Sequence, residues 1–191
     1  MIFGIDEVGR GCWAGPLVVC AVGLEKPIDG LRDSKKLSSL QRLKIMTRIT
    51  TDYNNILIAS VSSAEVDKLG LTKAMYKACD SLFSSISKLP YDKIVVDGNI
   101  NYLPDVPRSE ALIGADGLVA ECMAASVAAK EWRDEYMRKV ADSHPGYGFE
   151  SHVGYGTKQH KDAIAKLGLT PEHRRSFKPI KSYEAGAWTP S

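Results

Sequence analysis

An α/β fold is predicted by three features of this 191-residue chain. Short β-branched runs alternate with segments whose apolar residues recur three and four apart, and glycine and proline punctuate the joints between them. The longest helical pattern falls in the second half, after the strands. With 44% hydrophobic and 25% charged residues, the composition excludes disordered, collagenous and coiled-coil chains. One compact core is the expectation at this length.

The elements follow in order. Ile2 to Val8 and Pro16 to Leu24 read as two strands of a hairpin, separated by Gly9-Arg10-Gly11. Ser38 to Ile49 reads as a helix behind a serine cap, and Ile56 to Val61 as a strand. Thr72 to Ser87 carries Ala74, Ala78, Leu82 and Ile86 four apart, the mark of a helix. Ile94-Val95-Val96 is a short buried strand that ends at Asp97-Gly98. Gly117 to Val140 is the longest helical pattern, alanine-rich in its middle, and Lys158 to Leu167 is another that Gly168 stops. The glycine-rich stretch between them reads as an ordered loop, and the residues from Ser182 onward as frayed. No repeat and no long linker divides the chain, so residues 1–191 are expected to form a single catalytic domain, with 145–191 as a C-terminal extension.

Several classes of function are excluded or left without support. The longest apolar run, Leu17 to Val22, falls far short of the roughly 20 residues that span a bilayer. The acidic start Met1-Ile2-Phe3-Gly4-Ile5-Asp6-Glu7 lacks the basic segment of a signal peptide, and a cytoplasmic protein without membrane contact is expected. Cys12, Cys20, Cys79 and Cys122 show no paired spacing and read as buried thiols. Net charge is only +2, yet it is unevenly spread. Six Lys/Arg lie between Leu31 and Arg48 against Asp33 alone, and seven between His152 and Lys181 against Asp162 and Glu172. Either stretch suits a phosphate backbone or a solvated face.

The chemistry-bearing residues are acids at the ends of elements. Asp6-Glu7 closes an apolar strand, where two carboxylates are costly to bury without a cation; a solvent-facing Glu7 and a turn-capping Asp6 also account for the pair. Asp97 stands at a strand end, where α/β folds present ligand-binding groups, or simply in an Asp-Gly turn. Asp116 precedes the long helix and suits an N-cap as well as a metal ligand. Oxygen donors without a competing His or Cys cluster point to Mg²⁺ or Mn²⁺, and a pair of such ions suits phosphodiester chemistry. Gly9-Arg10-Gly11 offers bare backbone to a ligand or forms a tight turn. Tyr147 and Tyr155 lie in glycine-flanked loops, where a ring can stack on a sugar or pack over the core.

Taken together, Gly4-Ile5-Asp6-Glu7-Val8-Gly9-Arg10-Gly11, Ala14-Gly15-Pro16, Asp33-Ser34-Lys35-Lys36-Leu37, Val96-Asp97-Gly98, Asp116 with Ala124-Ala125-Ser126 and Ala129-Lys130, Gly154-Tyr155-Gly156-Thr157 and His173-Arg174-Arg175-Ser176-Phe177 closely resemble bacterial ribonuclease HII. The motifs stand in family order over nearly the whole chain. The resemblance implies a ribonuclease H-like fold, a central mixed sheet flanked by helices with a small helical C-terminal extension. It implies endonucleolytic hydrolysis of RNA in RNA–DNA hybrids and nicking of duplex DNA on the 5′ side of an embedded ribonucleotide, leaving 3′-hydroxyl and 5′-phosphate ends, in ribonucleotide removal and primer processing.

Two ions, Mg²⁺ or Mn²⁺, are then expected on Asp6, Glu7, Asp97 and Asp116. Gly9, Arg10 and Gly11 carry over as the loop that reads the 2′-hydroxyl, and Tyr155 as the junction-sensing tyrosine. Ser34, Lys35, Lys36, Arg174 and Arg175 are expected to contact the substrate. A monomer is the default, with a sliding clamp as a candidate partner. Val153, where many relatives carry lysine, and Glu121, where serine is frequent, depart from the pattern. A junction-binding protein without catalysis, and a DNA exonuclease or resolvase on the same fold, are the competing classes.

Overall fold

The computed structural model describes residues 1–31, 37–51, 55–186 and 188. Among the described residues, five strands form one mixed sheet in the order β3-β2-β1-β4-β5. β1 (Ile2–Val8) runs antiparallel to β2 (Leu17–Gly23) and parallel to β4 (Lys93–Asp97), and β4 runs parallel to β5 (Ser109–Leu112). β3 (Asn55–Val61) lies at the other edge, beside β2. The helices are α1 (Ser39–Thr51), α2 (Ser63–Leu69), α3 (Leu71–Ile86), α4 (Ala120–Ser143), α5 (Phe149–His152), α6 (Lys158–Leu167) and α7 (Lys178–Glu184). The predicted α/β class and the mixed sheet flanked by helices are therefore found.

The chain groups into two compact units, each assembled from separate segments: 1–8, 18–60 and 75–132 in the first, 9–17, 61–74 and 133–191 in the second. Residues 145–191, expected as an extension, thus share their unit with the Gly-Arg-Gly loop and with α2. α7 reaches Glu184, so the chain stays helical past Ser182.

In the first unit every residue of β2 is buried, as a strand covered on both faces requires. Val18, Cys20 and Val22 share one face and pack with Ile45 and Ile49 of α1 and with the run Ala124 to Ala129 of α4. Alanines at this contact let helix and sheet approach closely. β1 comes closest at Gly4, where a Cβ would stand 2.2 Å from the Cys122 backbone nitrogen. No side chain larger than hydrogen fits there.

The core of the second unit gathers Ala14, Met137, Tyr147, Phe149, Ile164 and Ile180. α2 starts at a capping box, in which Ser62 accepts from the Glu65 amide and Glu65 reaches back to the Ser62 amide. Its Asp67 then accepts from the amides of Arg175 and Ser176, at 2.7 and 2.9 Å. This holds the His-Arg-Arg-Ser segment in place. All four cysteines are buried thiols, and no described helix is long and apolar enough to cross a membrane.

Candidate active site

Sheet register brings the acids together. Ile5 pairs with Val96 across the parallel β1–β4 ladder, so Asp6 and Asp97 follow side by side at the strand ends. Asp97 pairs with Leu112 of β5, after which the left-handed Gly114 turns the chain into a 3-10 turn at Ala115–Gly117. That turn returns Asp116, whose amide donates to Asp97 Oδ1 at 3.3 Å. One carboxylate oxygen from each of Asp6, Asp97 and Asp116 lies within 4.8 Å of the others. α4 begins only at Ala120, so Asp116 is not its N-cap; the helix expected from Gly117 starts three residues later.

Asp6 is only 6% exposed. Burial, and after it the charges of Glu7 and Asp97, push its carboxyl up to about 7, while hydrogen bonds from the Ser126 hydroxyl and the Glu7 amide pull the other way. Among the described residues, no cation offsets the charge of an anionic Asp6. All three donors are hard oxygens with no imidazole or thiolate among them, which fits a small divalent cation. Glu7 does not join the trio: it is half-buried, and its charge, second to burial, helps push the Cys79 thiol of α3 up to about 12. Adjacent strand residues point to opposite faces, which accounts for the split. Ser126, quoted in a motif but not expected in the site, was detectable as the one hydroxyl in a run of small apolar residues.

Within the second unit, buried guanidinium groups hold the Gly-Arg-Gly loop. Arg174, expected at a phosphate, is fully buried: its Nη1 donates to the carbonyls of Gly9 and Arg10 at 2.6 and 3.1 Å, and its Nε and Nη2 to that of Gly15 at 3.0 and 2.8 Å. With its fork committed to carbonyls, Arg174 is a scaffold of the loop rather than a surface contact. Arg133 is a second buried guanidinium, donating to Pro16, Val153 and Ala14 at 3.0, 2.8 and 2.9 Å. Its charge gave no sign of burial in sequence, because its acceptors are loop carbonyls far apart in the chain. Gly9 is buried at φ +90°, and a Cβ there would stand 2.4 Å from Arg133 Nε. Arg10 and Gly11 are exposed, and around Gly11 a Cβ would meet nothing within 4 Å.

The two tyrosines separate clearly. Tyr147 is buried, donates its hydroxyl to the Gly168 carbonyl at 2.8 Å and stacks on Phe149 at 5.2 Å. Tyr155 keeps 41% exposure and hydrogen-bonds the thiol of Cys12, the residue after Gly11. Arg175 is exposed and ion-paired with Glu184. Val153 adopts a left-handed φ of +42°, and its carbonyl is one of those held by Arg133. Ser34, Lys35 and Lys36 lie outside the described residues.

Comparison with known proteins identifies the family. The family profile of Ribonuclease HII matches residues 3–180. The chain is 40% identical over 181 residues to Ribonuclease HII of Ruegeria pomeroyi, covering 94% of this chain and 76% of that protein. It is 44% identical over 176 residues to Ribonuclease HII of Campylobacter concisus, covering 92% of each. Among solved structures, the PCNA:RNase HII complex from Archaeoglobus fulgidus matches with a TM-score of 0.78 at 25% identity, over 93% of this chain and 95% of that one. A ribonuclease H2 from Pyrococcus horikoshii has the same fold, with a TM-score of 0.79 at 23% identity over 97% of both. A Bst-RNase HIII solved with Mn²⁺ has it too, with a TM-score of 0.74 at 20% identity over 97% of this chain and 70% of that one. With the family profile matching residues 3–180 and relatives 40–44% identical over more than nine-tenths of its length, the chain belongs to the ribonuclease HII family of ribonuclease H endonucleases.

Proposed function

We propose that the protein hydrolyses the RNA strand of RNA–DNA hybrids and nicks duplex DNA on the 5′ side of an embedded ribonucleotide, leaving 3′-hydroxyl and 5′-phosphate ends. The convergence of Asp6, Asp97 and Asp116 within 4.8 Å carries this reading. These three residues, with Glu7 drawn in as a fourth, would hold two Mg²⁺ or Mn²⁺ ions. Bound there, such ions would lower the pKa of an attacking water and offset charge on the leaving oxygen. No histidine is needed as general base.

The chain's own groups do the positioning. Ser126 fixes Asp6 by donating to its carboxylate, and the Asp116 amide fixes Asp97. Gly11, exposed and unencumbered, offers backbone to a 2′-hydroxyl, the one group that separates RNA from DNA at a given sugar. The half-exposed ring of Tyr155 packs against the following deoxyribose, where a second 2′-hydroxyl would crowd it. Arg10, Arg175, Lys35 and Lys36 attract the phosphate backbone.

Incubation of the protein with all-DNA, single-ribonucleotide and continuous hybrid duplexes, with Mg²⁺ or Mn²⁺ and with EDTA, tests the proposal. Metal-dependent nicking 5′ to the ribonucleotide, with the all-DNA duplex intact, is expected. Cleavage of all-DNA substrate, or cleavage in EDTA, overturns it.

A further inference from the structure

Three imidazoles of the second unit converge on the backbone around Tyr155, two of them hydrogen-bonded to each other and the third stacked against one of the pair. The Thr170 amide donates to His173 Nδ1 at 2.9 Å, so the proton of neutral His173 sits on Nε2. At the other end, His160 Nδ1 lies 2.9 Å from the Tyr155 carbonyl oxygen, which only accepts, so His160 carries its proton on Nδ1. Between them, His173 Nε2 stands 3.1 Å from His160 Nε2, a donor facing an acceptor. The two ends fix the same polarity independently. His160 and His173 are 0% and 2% exposed, so no water substitutes for either partner.

His152 braces the same turn from the other side. Its Nδ1 accepts from the Gly154 amide at 3.2 Å, and its Nε2 therefore donates to the Tyr147 carbonyl at 2.8 Å. Its ring stacks on His160 with centroids 4.4 Å apart. The Tyr155 amide bonds the His152 carbonyl at 2.9 Å, and the Tyr155 carbonyl also takes the Thr157 amide at 2.8 Å. Every backbone polar group of Tyr155 is thus committed, while its ring stays half-exposed.

We propose that His173 and His160 are positioning residues, a relay with locked tautomers that sets the backbone of Tyr155 and through it the angle at which the ring meets the sugar. The inference rests on the reading of Tyr155 as the junction sensor. A side chain 1 Å out of place is enough to cost on the order of 10²-fold in rate. A purely structural cluster would instead lower activity on every substrate alike.

The tautomers are read directly from the ¹⁵N shifts of the imidazoles at neutral pH. His160 protonated on Nδ1, with His173 and His152 protonated on Nε2, is expected; a proton on His160 Nε2 overturns the relay. Steady-state kinetics on single-ribonucleotide and continuous hybrid duplexes then compare Tyr155→Ala, His160→Leu and His160→Asn. His160→Leu is expected to lower kcat about 10- to 100-fold on the single ribonucleotide, with KM nearly unchanged and the hybrid much less affected. His160→Asn, whose amide N–H replaces the Nδ1 donor, is expected to recover most of that loss. If His160→Leu does not fold, the Asn variant and the tautomer spectrum decide. Damage by Tyr155→Ala with wild-type nicking by His160→Leu, or equal losses on both substrates, sinks the relay alone. A silent Tyr155→Ala sinks the reading of the junction sensor beneath it, and the relay with it.

Discussion

Gly4 lies against Cys122 so closely that a Cβ on the strand would overlap the backbone of the helix, 2.2 Å from nitrogen and 2.8 Å from Cα. The contact sets the geometry of the acids. Gly4 and Asp6 share one face of β1, and Cys122 and Ser126 share one face of α4, so seating the helix on Gly4 delivers the Ser126 hydroxyl to Asp6 one step further along.

Gly4→Ala is accordingly expected to destabilise the protein by about 1–3 kcal/mol or more, because both partners are backbone and neither can swing aside. Folded variant should bind Mn²⁺ more weakly than wild type, since the helix must move away from Asp6. Denaturant unfolding and calorimetric titration check the two effects. Ser126→Ala removes the hydroxyl without moving the helix, and is expected to weaken cleavage with a much smaller stability change. Wild-type stability and metal affinity in Gly4→Ala would contradict the packing account.

Asp97→Asn and Asp116→Asn are each expected to abolish cleavage while leaving the protein folded, because shape is kept and a ligand charge removed. Asp6→Asn should do the same and also make the metal-free protein more stable, since the buried carboxylate of Asp6 lacks a cation there. Mn²⁺ at 100 times its Kd should raise wild-type stability by about 2.7 kcal/mol and that of these variants much less. Near-normal turnover of the Asp97 variant would remove the trio from the mechanism.

The sheet and its acids were legible because strand ends announce themselves: a β-branched run stopped by Asp-Glu or Asp-Gly needs no distant partner to be read. The long helix was legible in period, but its start at Ala120 was not, since the 3-10 turn around Asp116 has no distinguishing composition. β5 was missed because Ser-Glu-Ala-Leu has no strand propensity of its own and is held by pairing with β4. α2 did carry a signal, the spacing of Ser62 and Glu65. Arg174 shows the opposite failure. A charge suggests surface, and only the fold shows that Gly9, Arg10 and Gly15 need it as donor; Tyr147 takes the core-packing alternative that the sequence had left open, stacked on Phe149.

Arg174 and Arg175 should part company when replaced. Arg174→Ala leaves buried carbonyls without donors and is expected to cost about 3–5 kcal/mol. Arg174→Lys should not restore stability, because one ammonium cannot serve the spread of acceptors that the planar fork reaches. Arg175→Ala should leave stability within about 0.5 kcal/mol and reduce the salt dependence of substrate binding by roughly 0.9 in slope, one phosphate contact. An unchanged slope returns Arg175 to solvated surface.

Tyr147→Ala is expected to lose about 3–5 kcal/mol of stability, as a buried aromatic with a bonded hydroxyl should. Tyr155→Ala, with its half-exposed ring, should cost far less stability and yet damage nicking more. Chemical denaturation paired with single-turnover nicking separates the two residues. The reverse pattern would place the substrate-facing ring at Tyr147.

Acid sensitivity follows from the histidines. Burial first, with the facing His152 ring, holds His160 down to about 3, and burial holds His173 down to about 4, with His144, Arg175 and His152 adding to it. Both fall below the ordinary value of 6.5, so between that pH and their folded values the unfolded chain binds more protons than the native one. Stability is therefore full above about pH 7 and falls as pH drops, by at most about 1.4 kcal/mol per pH unit for each histidine. Asp6 opposes this in metal-free protein, because its raised carboxyl makes the native state bind the extra proton as pH falls from about 7 toward 4. Asp6→Asn isolates the histidines. In that background, free energies of unfolding measured from pH 7 to pH 4.5 should fall by on the order of 5 kcal/mol, and replacing His160 with Asn should remove close to half of the slope. A flat profile across that range would mean that both imidazoles accept their protons inside the folded protein, against the donor-to-acceptor order from Thr170 to Tyr155.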